Sequence, residues 1–163
     1  MIIGGRLISA TAKPKTQQYF SLLEANRSLT YLTSRCSILL QMNELIAESM
    51  EKLQAEGFNI ETDLDSALAV VESPIVLNIL SDLCVQVPAA QALIDEVVAC
   101  GIVPDVLTQG VFVWPAQHQD GQVLWCWQFG EAEITHWREA GASFDLRRRL
   151  DTLPEAQACV HVA

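Results

Sequence analysis

A chain of 163 residues, half of them hydrophobic and 18% charged, is long enough to bury one sizeable core and too short to need a second domain. A formal net charge of −10 repels nucleic acid and anionic lipid, which sets both aside as expected partners. So apolar a balance favours a large shared surface, most simply a homo-oligomer.

Residues 1–18 show no helical period and are expected to form an extended N-terminal arm. Met1–Ala10 is interrupted by Gly4, Gly5 and Arg6, too broken for a signal core or a membrane span. Cys36, Cys84, Cys100, Cys126 and Cys159 are odd in number and form no Cys-x-x-Cys pair, as expected of reduced thiols in a cytoplasmic protein.

Order is expected from Tyr19. Ser21 and Glu24 have the spacing of a capping box, in which each side chain satisfies a backbone N–H that a helix start leaves unpaired. Leu22, Ala25, Leu29, Leu32, Cys36 and Leu39 then recur at spacings of three and four, and Met42, Ile46, Met50 and Leu53 continue the stripe to Gly57. At 1.5 Å per residue such a helix spans roughly 50 Å, so a second helical arm or a partner chain must lie along it. Residues 63–100 supply that arm, and Ser73-Pro74 and Val87-Pro88 mark expected restarts or kinks because proline is hostile to a helix interior. Ala90, Leu93, Ile94, Val97 and Val98 form a last apolar face that stops at Gly101.

Beyond Gly101 the period changes to two. Val111–Pro115 and Gln122–Gln128 read as strands joined at Asp120-Gly121, a hairpin turn signal, with shorter strands expected at Gly101–Pro104 and Glu133–Trp137. With Asp120 and Gly121 as central turn residues, Ala116 faces Trp125 and Trp114 faces Trp127. Phe112, Trp114, Trp125, Trp127 and Phe129 then share one side, and Val111, Val113, Leu124 and Cys126 share the other. Both sides are apolar. One must pack on the helices, and the other needs the arm, a partner or a ligand.

Tyr19–Asn26, Gly101–Val103, Trp114-Pro115, Asp120-Gly121, Leu124–Trp127, Gly130–Ile134 and Trp137 together resemble the bacterial family called domain of unknown function 2203. The resemblance covers most of residues 19–150 and implies a small cytosolic α+β protein, with no activity to carry over. Where the family pattern has Asp-Phe-Pro, Trp-His and Gly-Phe, this chain has Val113–Pro115, Trp137-Arg138 and Ser143-Phe144, the marks of a divergent member.

The polar side chains bear on several chemistries. Glu131, Glu133, His136 and His118 offer carboxylates and imidazoles for a metal, but no pair has helical ligand spacing, and strand parity puts His136 opposite Glu133. The alternative to a metal is a turn in which Glu131 accepts backbone hydrogen bonds and Glu133 pairs with an arginine. Cys126, between two tryptophans, reads as a buried thiol rather than a nucleophile. No Gly-x-Ser-x-Gly elbow or phosphate-binding glycine loop is present. Arg138 and the run Arg147–Arg149 hold four of the ten basic residues, which Glu139, Asp145 and Asp151 are placed to neutralise.

The expectation is an α+β fold: a long antiparallel helical hairpin, its second arm broken at prolines, and a C-terminal three- to four-stranded antiparallel β-meander. The single domain runs over 19–150, helical to 100, and is followed by a tail at 151–163. The expected role is that of a non-catalytic, self-associating module that binds a partner or small molecule at the aromatic sheet. Trp114, Trp125, Trp127 and Trp137 are its anchors and Glu131, Glu133 and Arg138 its polar rim, with no metal and no cofactor specified. The alternative is a metal-dependent or acid/base enzyme using Glu131 and Glu133.

Overall fold

The computed structural model describes residues 18–60, 64–118 and 121–153. The expected arm at 1–18 and the tail at 151–163 therefore lie outside the described residues, apart from Gln18 and residues 151–153.

Helix α1 runs from Leu22 to Ala55, begun by the capping box: Ser21 accepts from the Glu24 N–H, and the Glu24 carboxylate accepts from the Ser21 N–H at 2.8 Å. The expected stripe is its buried face, from Ala25, Leu29, Leu32, Cys36 and Leu39 to Ile46 and Leu53. The return arm is α2 (Leu64–Val70) followed by α3 (Pro74–Ala99). Ser73 caps α3 and Pro74 occupies its first turn, where a missing N–H and a fixed φ do no harm.

No restart occurs at Pro88, where α3 continues unbroken. Pro88 is exposed, so the lost hydrogen bond is open to water, and Leu83, Val87, Ala90 and Ile94 keep the surrounding turns buried. Helix formation on both sides of the proline is held by this packing rather than by propensity.

The C-terminal third is a five-stranded antiparallel sheet in sequence order: β1 (Val103–Val106), β2 (Val111–His118), β3 (Gly121–Gln128), β4 (His136–Glu139) and β5 (Arg148–Arg149). The fifth strand exceeds the three or four expected. It is two residues long and carries only arginine, which leaves no apolar alternation to read. The strand expected from Glu133 begins instead at His136, because the Ile134 N–H bonds the Asn26 side chain of α1 at 2.9 Å rather than a neighbouring strand.

The β2–β3 register differs from expectation by two residues: Gly121 pairs with His118, Ala116 with Val123 and Trp114 with Trp125. Asp120 lies outside the described residues, and Gly121 opens β3. A two-residue shift preserves parity, so every side chain keeps its expected face. With Trp125 also opposite Trp137, the shift aligns three indoles in one cross-strand row.

Pro115 sits within β2 beyond the reach of β1, whose pairing ends at Val103–Val113. There β2 has an open edge, and its Pro115 carbonyl accepts from the Phe20 N–H at 2.8 Å. Gly101 leads from α3 into β1 at φ +80°, and a Cβ there would lie 2.9 Å from the Phe20 ring. The lead-in to α1 is thus held at Pro115 of the sheet and at Gly101 just ahead of it.

Candidate functional site

The tryptophan face of the sheet is the face that packs on the hairpin. Trp114, Trp125, Trp127 and Trp137 are all buried, at 0–7% exposure, in one core with Leu29, Leu32, Ile94 and Val97. Each indole N–H has a partner inside the chain. Trp114 donates to Ser28 Oγ on α1 at 3.1 Å, Trp125 to the Phe20 carbonyl at 2.9 Å, Trp127 to the Glu131 carbonyl at 2.8 Å, and Trp137 to the Arg149 carbonyl at 3.1 Å. The rings therefore tie helix, sheet and both flanking segments together, and offer a ligand neither a free N–H nor an open face.

Of the polar rim residues, Glu131 meets the Trp127 ring through its backbone carbonyl, while its carboxylate is engaged elsewhere. Glu131 is held in the turn after β3, accepting from the Gln128 N–H at 2.9 Å and from Arg147 at 3.1 Å. This is the backbone-capping role considered for it, but the arginine pairs with Glu131 and not with Glu133, which is exposed. Among the described residues no three or more His, Cys, Asp or Glu side chains are placed to hold a metal ion.

Arg138 lies on the opposite sheet face from the tryptophans. It is buried at 7% exposure and reaches from β4 to Asp105 of β1 at 3.0 Å, across the intervening strands. Asp105 falls where the β1–β2 register shifts, a bulge that re-aims its side chain. Val111, Val113 and Cys126 are buried on this same face. Burial pushes the Cys126 thiol up to about 11, and the neighbouring Arg138 guanidinium only partly opposes it. Burial alone raises Cys36 to about 11. Both are protonated at neutral pH and poor nucleophiles.

The remaining arginines of the C-terminal meander are each engaged. Arg148 pairs with Glu139 and lies over the Trp137 ring, and Arg149 pairs with Asp151. Sequence reasoning missed Asp105 and Glu131 as the partners of Arg138 and Arg147. An arginine at a strand position alternating with apolar neighbours signals that some carboxylate must reach it, but only the bulge in β1 decides which.

Between hairpin and sheet a narrow cavity is lined by Cys36, Asn43, Ile46, Ile94, Leu107 and Phe112. The space open to the centre of a water molecule is ≈ 10 Å³, room for one water beside the unpartnered Asn43 Oδ1.

The family described as "Uncharacterized conserved protein (DUF2203)" matches residues 18–150. The chain belongs to the DUF2203 family. The match begins at the lead-in that crosses the sheet at Phe20 and ends just after β5, so the DUF2203 region coincides with the hairpin, the meander and the segment that closes over Trp137. No curated protein and no solved structure matches the chain.

Proposed function

We propose that this protein is a non-catalytic cytosolic module that works as a homo-oligomer, with the outer face of the helical hairpin as its association surface. One observation carries the reading: α3 is strongly apolar along its length, yet of its most apolar 18-residue stretch only 28% is buried. Ile75, Leu77 and Val85 of α3 and Ile38 and Leu45 of α1 are all exposed. Large apolar side chains exposed in this number on one hairpin are the usual mark of an interaction face.

Other features of the chain agree. The tryptophans, Glu131, Arg138 and Arg147 have partners within the fold, which leaves the hairpin rather than the sheet as the unsatisfied surface. Cys36, Cys84, Cys100 and Cys126 are free thiols, in keeping with a reducing compartment. By length and composition α3 is also the one described helix able to cross a membrane, but its Val76, Leu80, Leu83 and Ile94 stripe is packed within the protein core.

Light scattering across a concentration series tests the proposal. A mass of twice 18.0 kDa or a higher multiple is expected at micromolar concentration. A constant single-chain mass, or partition of the folded protein onto lipid vesicles, refutes it.

A further inference from the structure

The period of α3 separates a core side from a solvent side. Val76, Leu80, Leu83, Val87 and Ile94 are buried, and at about 100° per residue Val85 lies roughly 180° from the middle of that stripe. Val85 is 71% exposed, and Ala89 and Ala92, also exposed, continue the same line within about 40° of it. Asp82 and Glu96 close this apolar track at its two ends, exposed and within about 60° of Val85.

Negative charge on this helix is left unopposed. Asp82, Asp95 and Glu96 are its only charged residues, and among the described residues none of them pairs with a cation. Glu96 stands in the last turn, at the negative end of the helix dipole, and no basic residue there offsets it. Residues 1–17 have the opposite balance: Arg6, Lys13 and Lys15, with no acid. That segment joins the described chain beside the same helix end, where Gln18 Oε1 lies 3.1 Å from the place a Cβ on Gly101 would take.

We propose that the chain's own N-terminal segment straps this track, with Lys13 at Glu96, Leu7 and Ile8 over Val85, and Arg6 at Asp82. The order of chemistry agrees, acid–apolar–acid on the helix against cation–apolar–cation in the segment. So do the spacings. Asp82 and Glu96 are fourteen positions apart, about 21 Å along a helix, and Arg6 and Lys13 are seven positions apart, about 23 Å in extended chain. Pro14 favours extended backbone at Lys13. The five positions from Gln18 to Lys13 reach about 16 Å, enough to cover the roughly 8 Å of helix between Gly101 and Glu96 and pass round to the solvent side. Ala89 and Ala92 carry no long side chain to hold an extended backbone away. Tethering makes the contact intramolecular, which favours it over the same contact between copies. The strap lies over Val85 and so competes with association through the hairpin; that consequence rests on the proposed self-association, and the docking itself does not.

Tryptic cleavage after Arg6 reads the docking. The full chain is compared with an Asp82→Asn/Glu96→Gln variant over a range of protein concentrations, with circular dichroism checking that both are folded. Both carboxylates are exposed, so the fold tolerates the changes. Cleavage of the variant is expected to be at least about fivefold faster, because the two charged anchors of the strap are gone. Carbodiimide, which joins an amine to a carboxylate in contact with it, is expected to link Lys13 or Lys15 of the full chain to Glu96. In an equal mixture of isotopically labelled and unlabelled chains, each linked pair of peptides should carry a single label state. Equal cleavage rates, the absence of those links, or links that mix the label states overturn the strap. Protection in a chain that stays single at every concentration upholds the strap and refutes self-association.

Discussion

Replacing Trp114 by alanine tests the claim that the tryptophans are core. The ring is fully buried, and a tryptophan side chain removes roughly 200 Å² from water, which at about 25 cal/mol per Å² gives about 5 kcal/mol. Incomplete collapse around the site keeps the expected loss at about 3–5 kcal/mol, a large share of the stability of a domain this size. Trp114→Phe retains most of the packing and removes only the indole N–H donated to Ser28 Oγ. That hydroxyl keeps its own bond to the Ala25 carbonyl, so the expected loss is about 1–2 kcal/mol. Equilibrium urea unfolding at fixed protein concentration measures both, with the denaturant slope unchanged. A loss under about 1.5 kcal/mol for the alanine variant, or a phenylalanine variant as damaged as the alanine one, refutes the packed-core account.

Other predictions follow from single contacts. Ser21→Ala removes half of the capping box and is expected to destabilise by about 1 kcal/mol in thermal or chemical denaturation. The Ser21 hydrogen bonds hold the Glu24 carboxyl below its ordinary value, so their stabilisation is present above that value and lost as pH falls through the lowered one. The penalty of Ser21→Ala should accordingly shrink in acid. Cys36 and Cys126, raised by burial from 9.0 to about 11, favour the folded state below pH 9 and lose that contribution as pH rises through 11, about 2 kcal/mol per thiol by pH 11. Cys36→Ala should therefore flatten the alkaline limb of a stability–pH profile, and an unchanged limb contradicts the burial. Asp105→Ala should destabilise more than Arg138→Met, because the first strands a guanidinium at 8% exposure while the second leaves a carboxylate at 25% that water reaches. Equal or reversed penalties by urea unfolding contradict the pairing.

The helical half was legible because its signals are local. Ser21 and Glu24 announce a helix start within four residues, and a three-four apolar stripe needs no knowledge of what covers it. Pro88 misled because its cost is local while the packing that overrides it, from Leu83 to Ile94, is tertiary. In the sheet, face assignment was legible and pairing was not: alternation fixes parity, but the choice between registers two residues apart rests on aligning Trp114, Trp125 and Trp137, a contact involving a third strand. The tryptophans read equally well as anchors or as core, since an aromatic alternation does not say what lies above it. Ser28 and Phe20, which take two of their N–H bonds, are 86 and 105 residues away in sequence, with no pattern linking them. The ion pair from Arg138 to Asp105 was hidden for the same reason, compounded by a bulge that ordinary strand counting passes over.

The account depends most on self-association through the outer face of the hairpin. Val85 is exposed on the side of α3 opposite its buried stripe, so Val85→Asp places a charge on the proposed surface without entering the core, and sedimentation velocity across a concentration series reads the result. The parent is expected to sediment as a species of twice 18.0 kDa or a higher multiple, and Val85→Asp as a folded single chain. A variant that associates as strongly as the parent, or a parent of single-chain mass, would contradict the account.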